Sequence, residues 1–236
     1  MGRVFEKRKY KMFARYDKMA KGFTRIGKEI AIAIKLGGGD PAGNSRLRLA
    51  IQNAKGLNMP KDRIDAAIKR ATSKDATNLE EVVYEGKAPY GVAILCECAT
   101  DNPTRTVANV RMHFNRNGGE LGKTGSLDYL FERKGVFRVK NENNINLEEL
   151  EMDLIDYGAE EFEYDEEEIA ITTAFNDFGK MQKALEDKKL NIISSELERI
   201  PNSTIELPDE QIEEVMVLIN KLEEEDDIQK VYHNLK

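Results

Sequence analysis

Tryptophan is absent from the 236 residues, and there are only two cysteines and two histidines. Cys96 and Cys98 stand two apart in one apolar run, so they cannot make the disulfide framework that small secreted domains use. With His113 and His233 as the only imidazoles, a structural zinc site lacks ligands, and no cofactor or metal is expected. No apolar run approaches the ~18 residues needed to span a bilayer. The N-terminus is charged where a secretory signal needs its apolar stretch, so a cytoplasmic protein is expected.

Positive charge is short in aggregate: 36 Lys+Arg stand against 43 Asp+Glu, a net of −7. The distribution says more than the mean. Residues 1–75 hold 19 Lys+Arg against 7 Asp+Glu, a net of +12, which leaves residues 76–236 with 17 against 36. A strongly cationic segment on an otherwise acidic chain is the electrostatic footprint of a protein that meets a phosphate polyanion.

Residues 1–17 mix charge with Phe5, Tyr10, Phe13 and Tyr16 without a clean period and read as a mobile or partly helical arm. Over residues 17–36, Phe23, Ile26, Ile30 and Ile34 recur at helical spacing on one stripe. Lys18, Lys21, Arg25, Lys28 and Lys35 then fall on the opposite side, within an arc of about 100°. Ile32 lies among those cations and has no role in that arrangement. Gly37, Gly38, Gly39 and Pro41 end the helix. Asn44 or Ser45 caps a second helix, with Leu47, Ala50, Ile51 and Ala54 inward and Arg46, Arg48 and Lys55 outward. A third begins near Pro60 and Lys61, with Ile64, Ala67 and Ile68 inward and Arg63 outward. Residues 1–75 are thus a basic helical bundle.

Beyond a polar linker at 74–78 the period changes to two. Strands are expected around 82–84 and 92–99, then a helix from Asn102 with Val107, Val110 and Phe114 inward, a glycine-rich loop at 117–122 and a strand at 126–132. Residues 135–200 read βαββαβ, the split-βαβ arrangement of ferredoxin-like domains. The tail offers a helix at 208–225 and a strand at 228–232. Alone these have no sheet to join, while the upstream block lacks a second crossover, so the tail should complete that block. The expected fold is α+β in three domains: a helical bundle at 1–75, a discontinuous α+β domain at 76–133 plus 203–236, and an inserted ferredoxin-like domain at 134–202.

Signs of catalysis are weak. The paired carboxylates of 160–168 and 223–227 sit in turns and helix ends of an acidic half, where a solubilising surface accounts for them. Neither histidine has a recognisable nucleophilic frame. The most that Asp101, Asn102 and Arg105 near a glycine-rich loop offer is a small-ligand cleft, and no enzyme is expected. Nucleic-acid binding has more specific support, with Lys7, Arg8, Lys9, Lys11, Arg15, Lys18, Lys21, Arg25, Lys28, Lys35, Arg46, Arg48, Lys55, Lys61 and Arg63 as candidate phosphate contacts.

Eight motifs run in order along nearly the whole chain: KLGGGDP at 35–41, RLRLAI at 46–51, NMPKD at 58–62, YEG at 84–86, TDN at 100–102 with TRT at 104–106, NGG at 117–119 through Gly125 and Ser126, FERKG at 131–135, and Asp226 and Asp227 through VYHN at 231–234. In these the chain resembles the YebC/PmpR family, which includes the mitochondrial translational activator of cytochrome c oxidase subunit I. It departs at its start, with GRVFE at 2–6 where members commonly carry GHSKW. The resemblance implies three domains around a central cleft, a basic N-terminal domain and no catalysis. It also implies one of two roles: a DNA-binding transcriptional regulator, or a ribosome-associated factor that contacts ribosomal or transfer RNA and assists translation of difficult stretches such as consecutive prolines. The expected partners are therefore DNA or RNA, with a basic protein at the acidic inserted domain as the rival reading, no membrane, and a monomer or weak oligomer.

Overall fold

In a computed structural model that describes residues 3–73, 76–142 and 145–236, with side chains from residue 20 onward, the chain divides into two compact units, 1–77 and 78–236. The first holds α1 (Arg3–Gly37), α2 (Ser45–Gly56) and α3 (Lys61–Ala71). Its core is the expected stripe: Ile26, Ile30 and Ile34 pack with Leu47, Ala50, Ala54, Met59 and Ile64. α1 starts at Arg3, so the arm is part of the helix and not a separate segment. Residues 3–19 contain neither glycine nor proline and are rich in Lys, Arg, Met and Ala, whose helix propensity suffices without an apolar period.

Asn44, only 5% exposed, organises the turn between α1 and α2. Its Oδ1 accepts the Leu47 N–H at 3.0 Å, capping α2, while its Nδ2 donates to the carbonyls of Ala33 (2.7 Å) and Gly38 (2.8 Å). A Cβ on Gly37 would lie 2.8 Å from the Asn44 side chain, and Gly38 sits at φ +82°. The glycines are therefore demanded by the tightness of this turn, and the connector is fixed.

The second unit runs β1 (Glu80–Lys87), β2 (Ala93–Thr100), α4 (Pro103–Arg116), β3 (Glu120–Leu121), β4 (Phe131–Lys140), α5 (Leu147–Ile155), β5 (Ala159–Tyr164), β6 (Glu168–Ala174), α6 (Phe178–Asp187), β7 (Ile192–Pro201), α7 (Asp209–Glu224) and β8 (Ile228–His233). One antiparallel sheet has the order β3-β1-β2-β8, the other β5-β6-β4-β7. The second order is that of a split-βαβ sheet, with Phe137, Val139, Ile169 and Ile171 packed with Leu150 and Leu154 of α5 and Met181 and Leu185 of α6. The tail joins the first sheet: β8 pairs with β2, and α7 packs with α4 over Ile94, Cys96 and Cys98. The fold is α+β, with a helical N-terminal part, one sheet built from two separated stretches and a ferredoxin-like sheet between them.

Two expectations change. Residues 126–132 are not a strand: a short 3-10 turn occupies Asp128–Leu130, and β4 begins at Phe131 and runs unbroken past residue 133. The cause is Glu85, 3% exposed, whose carboxylate accepts the N–H groups of Gly125 and Leu127 at 2.7 Å each, with Gly125 at φ +83°. A buried carboxylate needs such donors, and the chain must turn to supply them. Phe131 and Leu127 then pack on Ala93 and Leu95, the far face of the first sheet, and Arg199 of β7 binds Glu97 at 2.9 Å and Asp128, tying the two sheets together.

Asn44→Ala removes a cap and takes a side-chain donor from the carbonyls of Ala33 and Gly38, the first of them buried. Urea unfolding of the full chain should show a loss of about 1–3 kcal/mol, and an unchanged midpoint contradicts this account of the turn.

Candidate nucleic-acid interface

Net charge places cations on the first unit, and the geometry decides which of them face solvent. The side chains of Lys7, Arg8, Lys9, Lys11, Arg15 and Lys18 lie outside the described residues. On α1, Lys21 and Lys35 are exposed, but Arg25 and Lys28 are half-buried. Ile32, inside the same arc, is 5% exposed. The arc therefore is not an open cationic face along its whole length, as the one-sided apolar stripe led one to expect. α1 is covered at Ile32 as well as along the Ile26–Ile30–Ile34 stripe.

Arg46, Arg48 and Lys55 of α2 and Lys61 and Arg63 of α3 are all exposed. They do not form one stripe. At 100° per residue Arg48 and Lys55 lie within about 20° of each other, and Arg46 is on roughly the opposite flank. Arg48 also donates to the carbonyls of Pro41 (2.9 Å) and Ala42 (3.2 Å), bracing the turn from outside. On α3, Arg63 shares its flank, within about 20°, with Arg70. Lys61 and Lys69 lie on the other flank with Asp65 between them. Lys69 and Arg70 are exposed and were missed by sequence reasoning, although the seven-residue step from Arg63 to Arg70 marks a common face. Lys21, Lys55, Arg63 and Arg70 have no ion pair among the described residues. The exposed cations thus offer several short rows suited to phosphates approached from more than one side, not a single strip along one groove.

Asp101, Asn102 and Arg105 of the second unit are engaged in holding the fold. Asp227, in the turn before β8, places Oδ2 at 2.7 Å from the Arg105 guanidinium, 2.9 Å from Thr106 Oγ1 and 3.2 Å from Thr100 Oγ1, while its carbonyl accepts the Ala99 N–H. Arg105 also reaches Asp101 at 2.8 Å, and its hydrogen bonds to the carboxylates of Asp227 and Asp101 raise its pKa. Asn102 caps α4 through the Arg105 N–H at 3.0 Å. One helical turn on, Asn109 donates to Glu225 Oε2 at 3.2 Å, and a turn further His113 Nε2 meets Glu225 Oε1 at 2.6 Å. These polar groups clamp α4 to the turn between α7 and β8. Among the described residues no group of three or more His, Cys, Asp or Glu is placed to hold a metal ion, and no helix is long and apolar enough to cross a membrane.

Residues 3–74 match the TACO1/YebC protein N-terminal domain and residues 79–235 the TACO1/YebC second and third domain. The chain belongs to the TACO1/YebC family. It is 59% identical over 235 residues to a probable transcriptional regulatory protein of Cytophaga hutchinsonii, covering 100% of this chain and 98% of that one. A protein of the same description from Anaeromyxobacter dehalogenans is 54% identical over 240 residues, with 100% of both chains covered. Among solved structures, a conserved hypothetical protein from Aquifex aeolicus superposes with a TM-score of 0.82 at 39% identity, over 92% of this chain and 90% of that one. The stretches TDN, TRT and Asp226-Asp227 of this chain coincide with the Asp227 clamp, and YEG with the Glu85 anchor, so these residues hold the fold together.

Asp227→Asn leaves Arg105 with a single carboxylate and should cost about 1–3 kcal/mol in chemical unfolding. Unaltered stability contradicts the clamp.

Proposed function

We propose that this TACO1/YebC protein is a non-enzymatic, cytoplasmic regulator of transcription that holds DNA by its backbone phosphates through the basic helical unit. The observation that carries this is the charge surplus of residues 1–75, 19 Lys+Arg against 7 Asp+Glu, with Lys21, Lys35, Arg46, Arg48, Lys55, Lys61, Arg63, Lys69 and Arg70 exposed. Phosphates of a duplex are approached from solvent by such side chains, and release of condensed counterions drives the association. The description of relatives as probable transcriptional regulatory proteins supports the same reading. A non-catalytic role is supported by the second unit, where Asp101, Arg105, His113, Glu225 and Asp227 are engaged with one another. Burial pushes the Cys96 thiol well above its ordinary range, which suppresses the thiolate a nucleophile requires.

One observation favours a second target, structured ribosomal or transfer RNA. Base-edge recognition calls for a helix that presents Arg, Asn or Gln to a groove, the amides reading adenine. On α2, Gln52 is half-buried and Asn53 buried, and α3 has no amide side chain. Contacts limited to phosphates read shape in preference to sequence, which suits folded RNA as well as DNA.

Neutralising six to eight phosphates should give a slope of log affinity against log salt of about −5 to −7 on duplex DNA. Lys21→Glu with Lys55→Glu and Arg63→Glu should flatten that slope by roughly 3 and weaken binding at every salt concentration. An unchanged slope rejects the helical unit as the interface. Parallel titrations with a duplex and with a folded ribosomal RNA fragment separate the two targets, since the preferred polymer binds more tightly at equal salt.

A further inference from the structure

Helix α5 has two apolar sides. Leu150 and Leu154 enter the core of the ferredoxin-like sheet. Met152 and Ile155 lie on the opposite side of the helix, 72% and 59% exposed. The first pair, with Leu147 beside it, seats α5 on its sheet, and Met152 and Ile155 are not part of that core. By helical spacing Glu148 and Glu151 share the outer side with Met152 and Ile155. Both carboxylates are exposed and have no ion pair among the described residues.

The electrostatics of this helix are one-sided. Its sequence, LEELEMDLI, has no cation, and residues 141–236 hold 8 Lys+Arg against 28 Asp+Glu. Asp153 in the last turn and Asp156 at the C-cap sit where the helix dipole disfavours an anion. On the inner flank the protein answers with α6 and the residue that follows it: Lys188, at the C-cap of α6, reaches Asp153 at 2.5 Å, and Lys180 of α6 donates to the Asp156 carbonyl at 2.6 Å while standing 5.9 Å over the ring of Tyr157. That flank already combines carboxylate, apolar side chain and lysine. Among the described residues the outer flank has the carboxylates and the apolar side chains but no lysine.

We propose that the outer face of α5, Glu148, Glu151, Met152 and Ile155, is a docking surface for a cationic amphipathic helix of a protein partner. Such a helix presents one or two aliphatic side chains at i, i+3 or i+4 to Met152 and Ile155 and borders them with Lys or Arg for the two glutamates. Methionine adapts to partners of varied shape, and exposed carboxylates steer a basic segment at long range. The same charge turns away DNA, RNA and anionic membranes. This surface stands whether or not the helical unit binds nucleic acid.

The test uses the full ¹⁵N-labelled chain and a synthetic N-acetylated 18-residue Lys/Leu peptide with its leucines on one helical stripe. A second peptide of identical composition has the leucines scattered. The striped peptide is expected to shift the amides of residues 147–156 and to bind several-fold more tightly than the scattered one. Met152→Ser with Ile155→Ser, both on the solvent side, should weaken it about tenfold with the circular dichroism unchanged. Glu148→Gln with Glu151→Gln should flatten its salt dependence. Equal binding of the two peptides, shifts confined to other elements, or a Met152/Ile155 variant that binds normally overturns the proposal. So does concentration-dependent self-association of the chain that the same double variant abolishes, which would assign the face to a second copy.

Discussion

A buried charge must be paired or it costs several kcal/mol. That constraint shapes the first third of this chain, because 19 cations with 7 acids cannot be neutralised internally. Most of the cations must therefore remain at the surface, and the core of the helical unit is left to Ile26, Ile30, Ile34, Leu47 and Ile64. What results is a small apolar centre with a positive exterior. The exterior repels itself in water, and a polyphosphate relieves that repulsion more fully than scattered counterions do.

The same constraint, with its sign reversed, explains where the second unit keeps its polar groups. Glu85 is tolerated at 3% exposure because two backbone N–H groups meet its carboxylate, and in meeting it they bend residues 125–130 out of strand geometry. Asn234, also buried, accepts the Ala93 N–H at 2.8 Å through its side chain and fixes the end of β8 against β2. Asp227 gathers Arg105, Thr106 and Thr100. In each case a buried or partly buried polar side chain fixes an irregular segment onto a regular one, and its hydrogen bonds are what make that attachment favourable.

Much of this was legible in the residues alone. The three-four-four spacing of Phe23, Ile26, Ile30 and Ile34 gave the packed side of α1, and the orphaned tail helix and strand correctly implied a return to the first sheet, seen as β8 beside β2. Other features depend on contacts that periodicity does not encode. The alternation SLDYLFE imitates a strand, and only the distant Glu85 carboxylate turns it. Arg25 and Lys28 satisfy a helical wheel as surface cations, yet they are half-buried around the covered Ile32. The start of α1 was missed for the opposite reason, since propensity carries a helix where no apolar stripe exists. Of the candidate interface, charge and outward direction were readable on α2 and α3. The division of those cations between flanks, with Arg63 beside Arg70 and Arg46 apart from Arg48, follows from helix geometry applied to observed exposure.

The central claim is that the helical unit, and not the acidic remainder, meets the polyphosphate. Lysine acetylation footprinting by mass spectrometry, on the full chain with and without a saturating DNA duplex or folded RNA, addresses it side chain by side chain. Protection of Lys21, Lys55, Lys61 and Lys69, with Lys189, Lys221 and Lys236 modified as in the free protein, is the predicted result. Equal protection throughout, or protection confined to residues 141–236, would contradict it.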